Sequence, residues 1–343
     1  MTGSSRTSIY RDGVPGNQVS TIRKILVTGI RLVATAGLLW ALAARIDVSR
    51  ALGIIGHAPL PLLAATLAAL LAGAPVVALR WHIILSAEAP SPGIGALLKI
   101  VLVGMFFNQV LPTGVGGDAV RAWRCRKLGI GLGAAVRSIL LDRACGYAML
   151  VVVYAASLPS LLHVLPDARQ RGGVVAVLVV AVFGLLGLLL LDQLPWPLLR
   201  HRLIAPLAEL SRESRSLLTH PRRCGAVLGL SACALGLTIL AFEFVGDSAG
   251  SRLPLENWVI VVPPVTLIQL LPVSLAGWGV REVVLVVALA AFGVPAEAAL
   301  ATSVLFGLGL AVAGLPGGLI WLADWDIARS GEPEAARLSK RLG

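Results

Sequence analysis

The sequence has 343 residues, 57% of them hydrophobic and only 14% charged, with a mean hydropathy of +0.86. That balance leaves too little polar surface for a soluble domain, and it excludes a disordered chain, a disulfide-stapled scaffold and an ordinary cytosolic enzyme. The formal net charge of +11 reads as the loop bias and anionic-lipid affinity of a multi-pass membrane protein rather than as a nucleic-acid footprint.

Residues 1–24 form a polar tail ending in Arg23 and Lys24. The first apolar run, 25–44, ends in Ala41-Leu42-Ala43, which resembles a signal-peptide cleavage site, but its length and its Arg31 favour an uncleaved span. Further runs long enough to cross a bilayer read at 59–79, 136–158, 173–195, 225–245 and 297–322. A polar tail, 324–343, closes the sequence. The expected fold class is an all-α polytopic membrane protein whose membrane domain covers 25–323. Four cysteines, Cys125, Cys145, Cys224 and Cys233, have no metal-ligand spacing and read as free thiols.

Two apolar segments break the pattern. One is 96–111, stopped by Pro112 and a glycine-rich turn; the other is 258–293, interrupted at Pro263-Pro264, at Pro272 and at Gly277-Trp278-Gly279. Loop charge decides how they lie. If both dip in and return, about 21 Lys and Arg face the cytoplasm against about five outside. If only the first crosses, the balance is about nine to 17, and if both cross it is about 13 to 13. The bias therefore predicts six full spans, two re-entrant or broken helical hairpins, and both termini in the cytoplasm.

The broken segments resemble each other. Shifting by about 160 residues aligns Gln109 with Gln269, Leu111 with Leu271, Pro112 with Pro272, Gly117 with Gly277, Val120 with Val280 and Arg121 with Arg281, without a gap. Three full spans, 136–158, 173–195 and 225–245, separate the two broken segments, so the hairpins are expected to enter from opposite faces; the repeat copies cover about 96–158 and 256–322. Such inverted repeats with broken helices are a transporter architecture, and irregular backbone at that depth must line a cavity or be buried in protein.

Three clusters can carry chemistry. In the first, Asn108 and Gln109 precede Pro112, which ends a helix; Gly116 and Gly117 permit close backbone approach; Asp118 is placed to cap a new helix, with Arg121 one turn on. A helix start plus an arginine suits a phosphate, and a capped helix with a salt bridge is the alternative. The second holds Gln269, Ser274, Gly277, Gly279, Arg281 and Glu282, with two charges between apolar runs, either facing a cavity or forming an interfacial ion pair. The third is Asp142-Arg143. Sequence neighbours diverge by about 100° on a helix, so each is expected to pair elsewhere, Arg143 toward Asp118 or a substrate phosphate. The stretch 118–130, with Arg121, Arg124, Arg126, Lys127 and Trp123, reads as an interfacial helix on anionic headgroups. No nucleotide loop or zinc-protease pattern occurs, and neither a metal nor a cofactor is expected.

Taken together, Asn108 to Arg121, Leu140-Leu141-Asp142-Arg143, Leu271-Pro272-Val273-Ser274 and Gly277-Trp278-Gly279-Val280-Arg281-Glu282 resemble the flippase-like membrane domain of lysylphosphatidylglycerol synthases over roughly residues 25–323. Asp142 stands where that family more often has Glu. The resemblance implies a domain that moves a phospholipid between leaflets. In bifunctional members a separate soluble domain makes an aminoacylated lipid, and no hydrophilic stretch here is long enough for one. The resulting expectation is a lipid flippase or transporter of a bacterial inner membrane. Its cargo would be an anionic phospholipid or lipid-linked headgroup, clamped by Arg121, Arg143 and Arg281 with Asn108 and Gln269 adding neutral hydrogen bonds. Movement would be downhill or ion-coupled. A membrane-embedded transferase acting on a lipid carrier, or a non-catalytic partner of a lipid-synthesis enzyme, are the alternatives.

Overall fold

A computed structural model of the chain describes residues 39–111, 116–193, 205–269 and 278–329, with Gly29, 32–33 and 35–37 ahead of them. Most of the first expected span, and Pro112, Pro272, Ser274 and Gly277, lie outside the described residues. Every described element is helical. The order is α1 (Val48–Gly56), α2 (Leu60–Leu85), α3 (Ile94–Val110), α4 (Gly116–Lys127), α5 (Leu132–Val164) and α6 (Ala168–Leu190), then α7 (Ala205–Thr219), α8 (Pro221–Ser248), α9 (Leu255–Gln269), α10 (Val280–Ala290) and α11 (Ala296–Arg329).

Local chemistry sets several of these boundaries. Asp47 accepts the Arg50 N–H (3.0 Å) at the start of α1, and Asp167 accepts the Arg169 N–H (3.1 Å) at the start of α6. Pro75, Pro159 and Pro316 sit inside α2, α5 and α11 without ending them, as neighbouring helices in a membrane bundle allow. Among the described residues, α2, α5, α6, α8 and α11 are long and apolar enough to cross a membrane. By contrast α3 and α9, with 17 and 15 residues, extend about 25 and about 22 Å, short of a hydrocarbon core of about 30 Å. The observed helices overrun the expected spans. The run expected at 136–158 is a helix from Leu132 to Val164, and that at 59–79 continues to Leu85. The loop expected between 195 and 225 contains the amphipathic helix α7.

The packing follows the same shift of about 160 residues as the sequence. Moving by that amount carries α1 to α7, α2 to α8, α3 to α9, α4 to α10 and α5 to α11. Three packed pairs then have their counterparts: α3 on α4 matches α9 on α10, α4 on α5 matches α10 on α11, and α3 on α11 matches α9 on α5. The central pair, α2 with α8, maps onto itself. Along it Arg80 bonds to Ser231, while Ile84, one turn on, clusters with Val227, one turn back. These equivalent helices are therefore antiparallel, and the two copies run in opposite senses about their shared axis. The helix α6 has no counterpart, and none of its residues is buried. It is the most hydropathic span, which leaves its surface to lipid.

Within a bilayer the helices are held by close packing rather than by exclusion of water. The main core stacks Phe242 between Phe306 (ring centroids 3.7 Å) and Trp258 (6.1 Å). Glycines bring α11 onto α3: a side-chain carbon at Gly317 would stand 1.9 Å from the Leu102 carbonyl oxygen, and one at Gly314 3.2 Å from the Phe106 Cα.

Candidate functional site

The charged residues of the first hairpin converge with those of its neighbours on a cavity of about 350 Å³ between α2, α3, α5 and α8. Its polar wall carries Arg80, Asn108, Arg121, Asp142, Arg143, Tyr147, Ser231, Thr238 and Thr266, and Leu70, Val101 and Leu235 line the apolar side.

The charges form an alternating chain. Arg80 Nε donates to Asp142 Oδ1 (2.7 Å), and Arg121 Nη2 donates to Asp142 Oδ2 (3.4 Å). Arg121 Nη1 donates to Asp118 Oδ1 (3.5 Å), and Arg143 Nε donates to Asp118 Oδ2. Neutral groups close the ends: Arg80 Nη1 donates to Ser231 Oγ (3.0 Å), and Arg143 Nη1 donates to the Tyr147 hydroxyl (3.2 Å). Three arginines face two aspartates, so the chain keeps one formal positive charge. Arg80, Asp118, Arg121 and Asp142 are buried, whereas the Arg143 side chain is 30% exposed. Arg121 lies 4.1 Å over the Trp81 ring, and its Nε is buried without a hydrogen-bond partner among the described residues. Burying such groups is tolerable when they are paired, and here one donor and one formal charge lack a counterpart among the described residues.

Small residues make the room. A side-chain carbon at Gly104 would stand 3.0 Å from the Arg121 stem, and one at Gly146 3.3 Å from Arg80 Nη1. The expected close approach at Gly116 and Gly117 is there, but it serves the hairpin itself. A carbon at Gly117 would lie 2.1 Å from the Gly104 carbonyl oxygen, and one at Gly116 2.6 Å from Leu111. Asn108 Oδ1 accepts the Gly117 N–H (3.0 Å), so Asn108 takes the free donor at the head of α4 from across the hairpin. The described partners of Asp118 are the arginines, which leave its carboxylate little freedom to act as the expected cap.

The second hairpin is built differently. Arg281 is 2% and Glu282 0% exposed. Although neighbours in sequence, they pair with each other. Arg281 Nη2 donates to Glu282 Oε1 (2.7 Å), and Arg281 Nε donates to Ser303 Oγ (3.0 Å). Ser303 Oγ donates to Glu282 Oε1 (3.0 Å), and the Gly279 N–H to Glu282 Oε2 (2.5 Å). Gly279 has φ 86°, a conformation that favours glycine. Arg281 also stacks 4.7 Å from the Trp278 ring, and a side-chain carbon at Gly307 would stand 2.3 Å from its Nη2. Gln269 Nε2 donates to the Val265 carbonyl of its own helix (3.3 Å).

Of the residues expected to form a site, the structure brings Asn108, Arg121, Asp142 and Arg143 to the cavity, with Asp118 behind them. Gln109, Gly116, Gly117, Gln269, Gly279, Arg281 and Glu282 do not line it. Asp142 and Arg143 do pair apart, as helix geometry predicts. Sequence reading missed Arg80, Tyr147 and Ser231 as cavity residues. The signal for Arg80 was an arginine five residues inside a membrane helix, visible only once α2 is seen to run on to Leu85.

Two further charged groupings flank the bundle. On α4, Lys127 sits 3.9 Å over the Trp123 ring, Trp123 lies 5.5 Å from Trp321, and Arg124 Nη1 is 2.8 Å from Asp324. Beyond the end of α2, Arg137 gathers Glu213 (2.5 Å), Glu209 (3.2 Å) and Glu88 (3.6 Å). Burial, helped by the neighbouring Glu213 carboxyl and opposed by Arg137, pushes the Glu88 carboxyl up to about 8. All four cysteines are free thiols.

Fold and site together define a multi-pass helical membrane protein whose bundle encloses a charged cavity. Residues 26–317 match the family described as the lysylphosphatidylglycerol synthase TM region, and the chain belongs to that family, among membrane proteins of lipid handling. The comparison with curated proteins gave no match.

Proposed function

We propose that the protein is a flippase or transporter that moves an anionic phospholipid or other anionic lipid between the leaflets of a bacterial inner membrane, with both termini in the cytoplasm. The observation that carries this reading is the surplus positive charge on the wall of a cavity between the membrane-length helices α2, α5 and α8 and the short helix α3. The headgroup phosphate binds between Arg121 and Arg143, where one arginine has an unpaired buried donor and the other is partly open. Arg80 and Asp142 hold Arg121 in place, Asn108 adds a neutral contact, and the acyl chains stay in the bilayer. Arg281 and Glu282 fix the second hairpin rather than touch the headgroup. In this reading the helix pairs α3–α4 and α9–α10 are re-entrant hairpins from opposite faces, since each begins with a helix too short to span. The copies 96–158 and 256–322 are then the cores of larger units beginning at α1 and α7, within a membrane domain over 25–323.

Purified full-length protein in liposomes, with fluorescent phosphatidylglycerol as the probe, tests it. The reading predicts translocation faster than in empty liposomes and at least about tenfold slower with Arg121→Gln, the scale of one lost charge-assisted hydrogen bond. Equal rates for protein-containing and empty liposomes overturn it.

A further inference from the structure

The two copies are not equally tight. Against α3, α11 presents Gly314, Gly317 and Gly318, which leave no room for a side chain. The matching interface, α5 against α9, carries Ser157 where the 160-residue shift puts Gly317. These two helices pack without such a glycine seam and leave an open groove of about 410 Å³ lined by Val152, Ala156, Ser157, Ser160, Glu256 and Val259 among others.

The groove is polar at one end only. Val152 and Ala156 are exposed on α5, well inside that helix. Ser160 lies one turn from its end at Val164, and Glu256 lies in the first turn of α9. From Val152 to Ser160 the groove runs about 12 Å along α5. In a membrane-spanning bundle the deep end faces hydrocarbon and the mouth the headgroup layer. Away from Ser157, Ser160 and Glu256 the lining is Val152, Val153, Ala156, Val259 and Ile260, which offers water no partners and suits a lipid chain. No arginine or lysine lines the groove, and Glu256 makes no ion pair among the described residues, Arg252 included. Its lone carboxylate has the charge opposite to the central cavity, and at headgroup depth it is matched by a cation that donates hydrogen bonds.

We propose that the groove between α5 and α9 is a second lipid site, one that holds an acyl chain of a phospholipid bearing a primary ammonium headgroup, with that ammonium on Glu256. The site stands independently of the function assigned to the central cavity.

Native mass spectrometry of the detergent-purified full chain, equilibrated with phosphatidylethanolamine, phosphatidylcholine or phosphatidylglycerol, tests the site. Retention is read as the part that Ala156→Phe, at an exposed position inside the groove, removes, which sets aside lipid held in the central cavity. That part is expected to be about tenfold larger for phosphatidylethanolamine than for the other two, since choline has no N–H to donate and glycerol no positive charge. Glu256→Gln is expected to remove the preference while leaving thermal unfolding unchanged. An Ala156→Phe-sensitive part that is equal for the three lipids, an undiminished preference in Glu256→Gln, or wild-type retention of phosphatidylethanolamine by Ala156→Phe overturns the proposal.

Discussion

Arg121 and Arg281 are related by the 160-residue shift, both lie in the first turns of short helices, and both are buried. Arg121 draws its counter-charge from Asp118 and from Asp142 on another helix, and it shares both carboxylates with other arginines. Arg281 takes Glu282 beside it, and Ser303 satisfies both. The same shift puts Thr302 and Ser303 where the first copy has Asp142 and Arg143. One copy therefore keeps a charged network open to a cavity, and its counterpart has neutralised the same arginine and sealed it in. The repeated motif differs between its two halves in the partners around the arginine rather than in the arginine itself.

The comparison breaks most readily at the sealed pair. Glu282→Ala leaves Arg281 buried and uncompensated, which is expected to cost about 3–5 kcal/mol, read as a large fall in thermal stability of the purified protein. Next comes the tight interface. Gly317→Leu drives a side chain into the Leu102 carbonyl and is expected to cost at least about 1–3 kcal/mol. The same change at Ser157, on the looser α5–α9 interface, is expected to cost less. Arg143→Gln, at the partly open end of the network, is expected to slow translocation about tenfold while shifting the unfolding midpoint little, because only one of its neighbours, Asp118, loses a charge partner, and Arg121 still holds it.

The smallest effect concerns pH. The folded value of Glu88, about 8, stands above its ordinary 4.5. Between those values the folded protein holds a proton that the unfolded chain has released, so stability falls as pH rises through that window. Glu88→Gln is expected to flatten this slope and to raise the midpoint at pH 8 by about 2–4 °C. An unchanged slope between pH 5 and pH 8 would place the proton elsewhere.

What sequence alone revealed, and what it hid, follows the same division. The ungapped match from Gln109–Arg121 to Gln269–Arg281 located both helix pairs, because glutamine, proline and arginine recurring in one register are harder to obtain from an apolar composition than leucine, glycine and valine, and arginine is costly at membrane depth. Helix periodicity separated Asp142 from Arg143 and left Asp118 or a substrate phosphate as the partner of Arg143; the structure shows Asp118. The partners that distinguish the copies were hidden, since Arg80 and Ser231 reach the network from helices distant in sequence. Nothing in the sequence marks Gly104 and Gly146 among the many glycines of the membrane helices; only the packing puts Arg121 and Arg80 against them. The packing role of Gly117 was hidden for a related reason: a missing side chain serves a ligand and a neighbouring helix equally well, and only packing separates the two.

The central claim is that the headgroup binds at the first hairpin's network and not at the second's. Translocation of fluorescent phosphatidylglycerol by liposomes containing Arg143→Gln, compared with those containing the charge-free double variant Arg281→Gln/Glu282→Gln, tests it most directly. The double change removes both charges of a buried pair together, which such sites tolerate far better than the loss of one. The account predicts that the double variant, once folded, keeps near wild-type rates while Arg143→Gln loses about tenfold. Wild-type rates in Arg143→Gln, or an equal loss in a folded double variant, would contradict it.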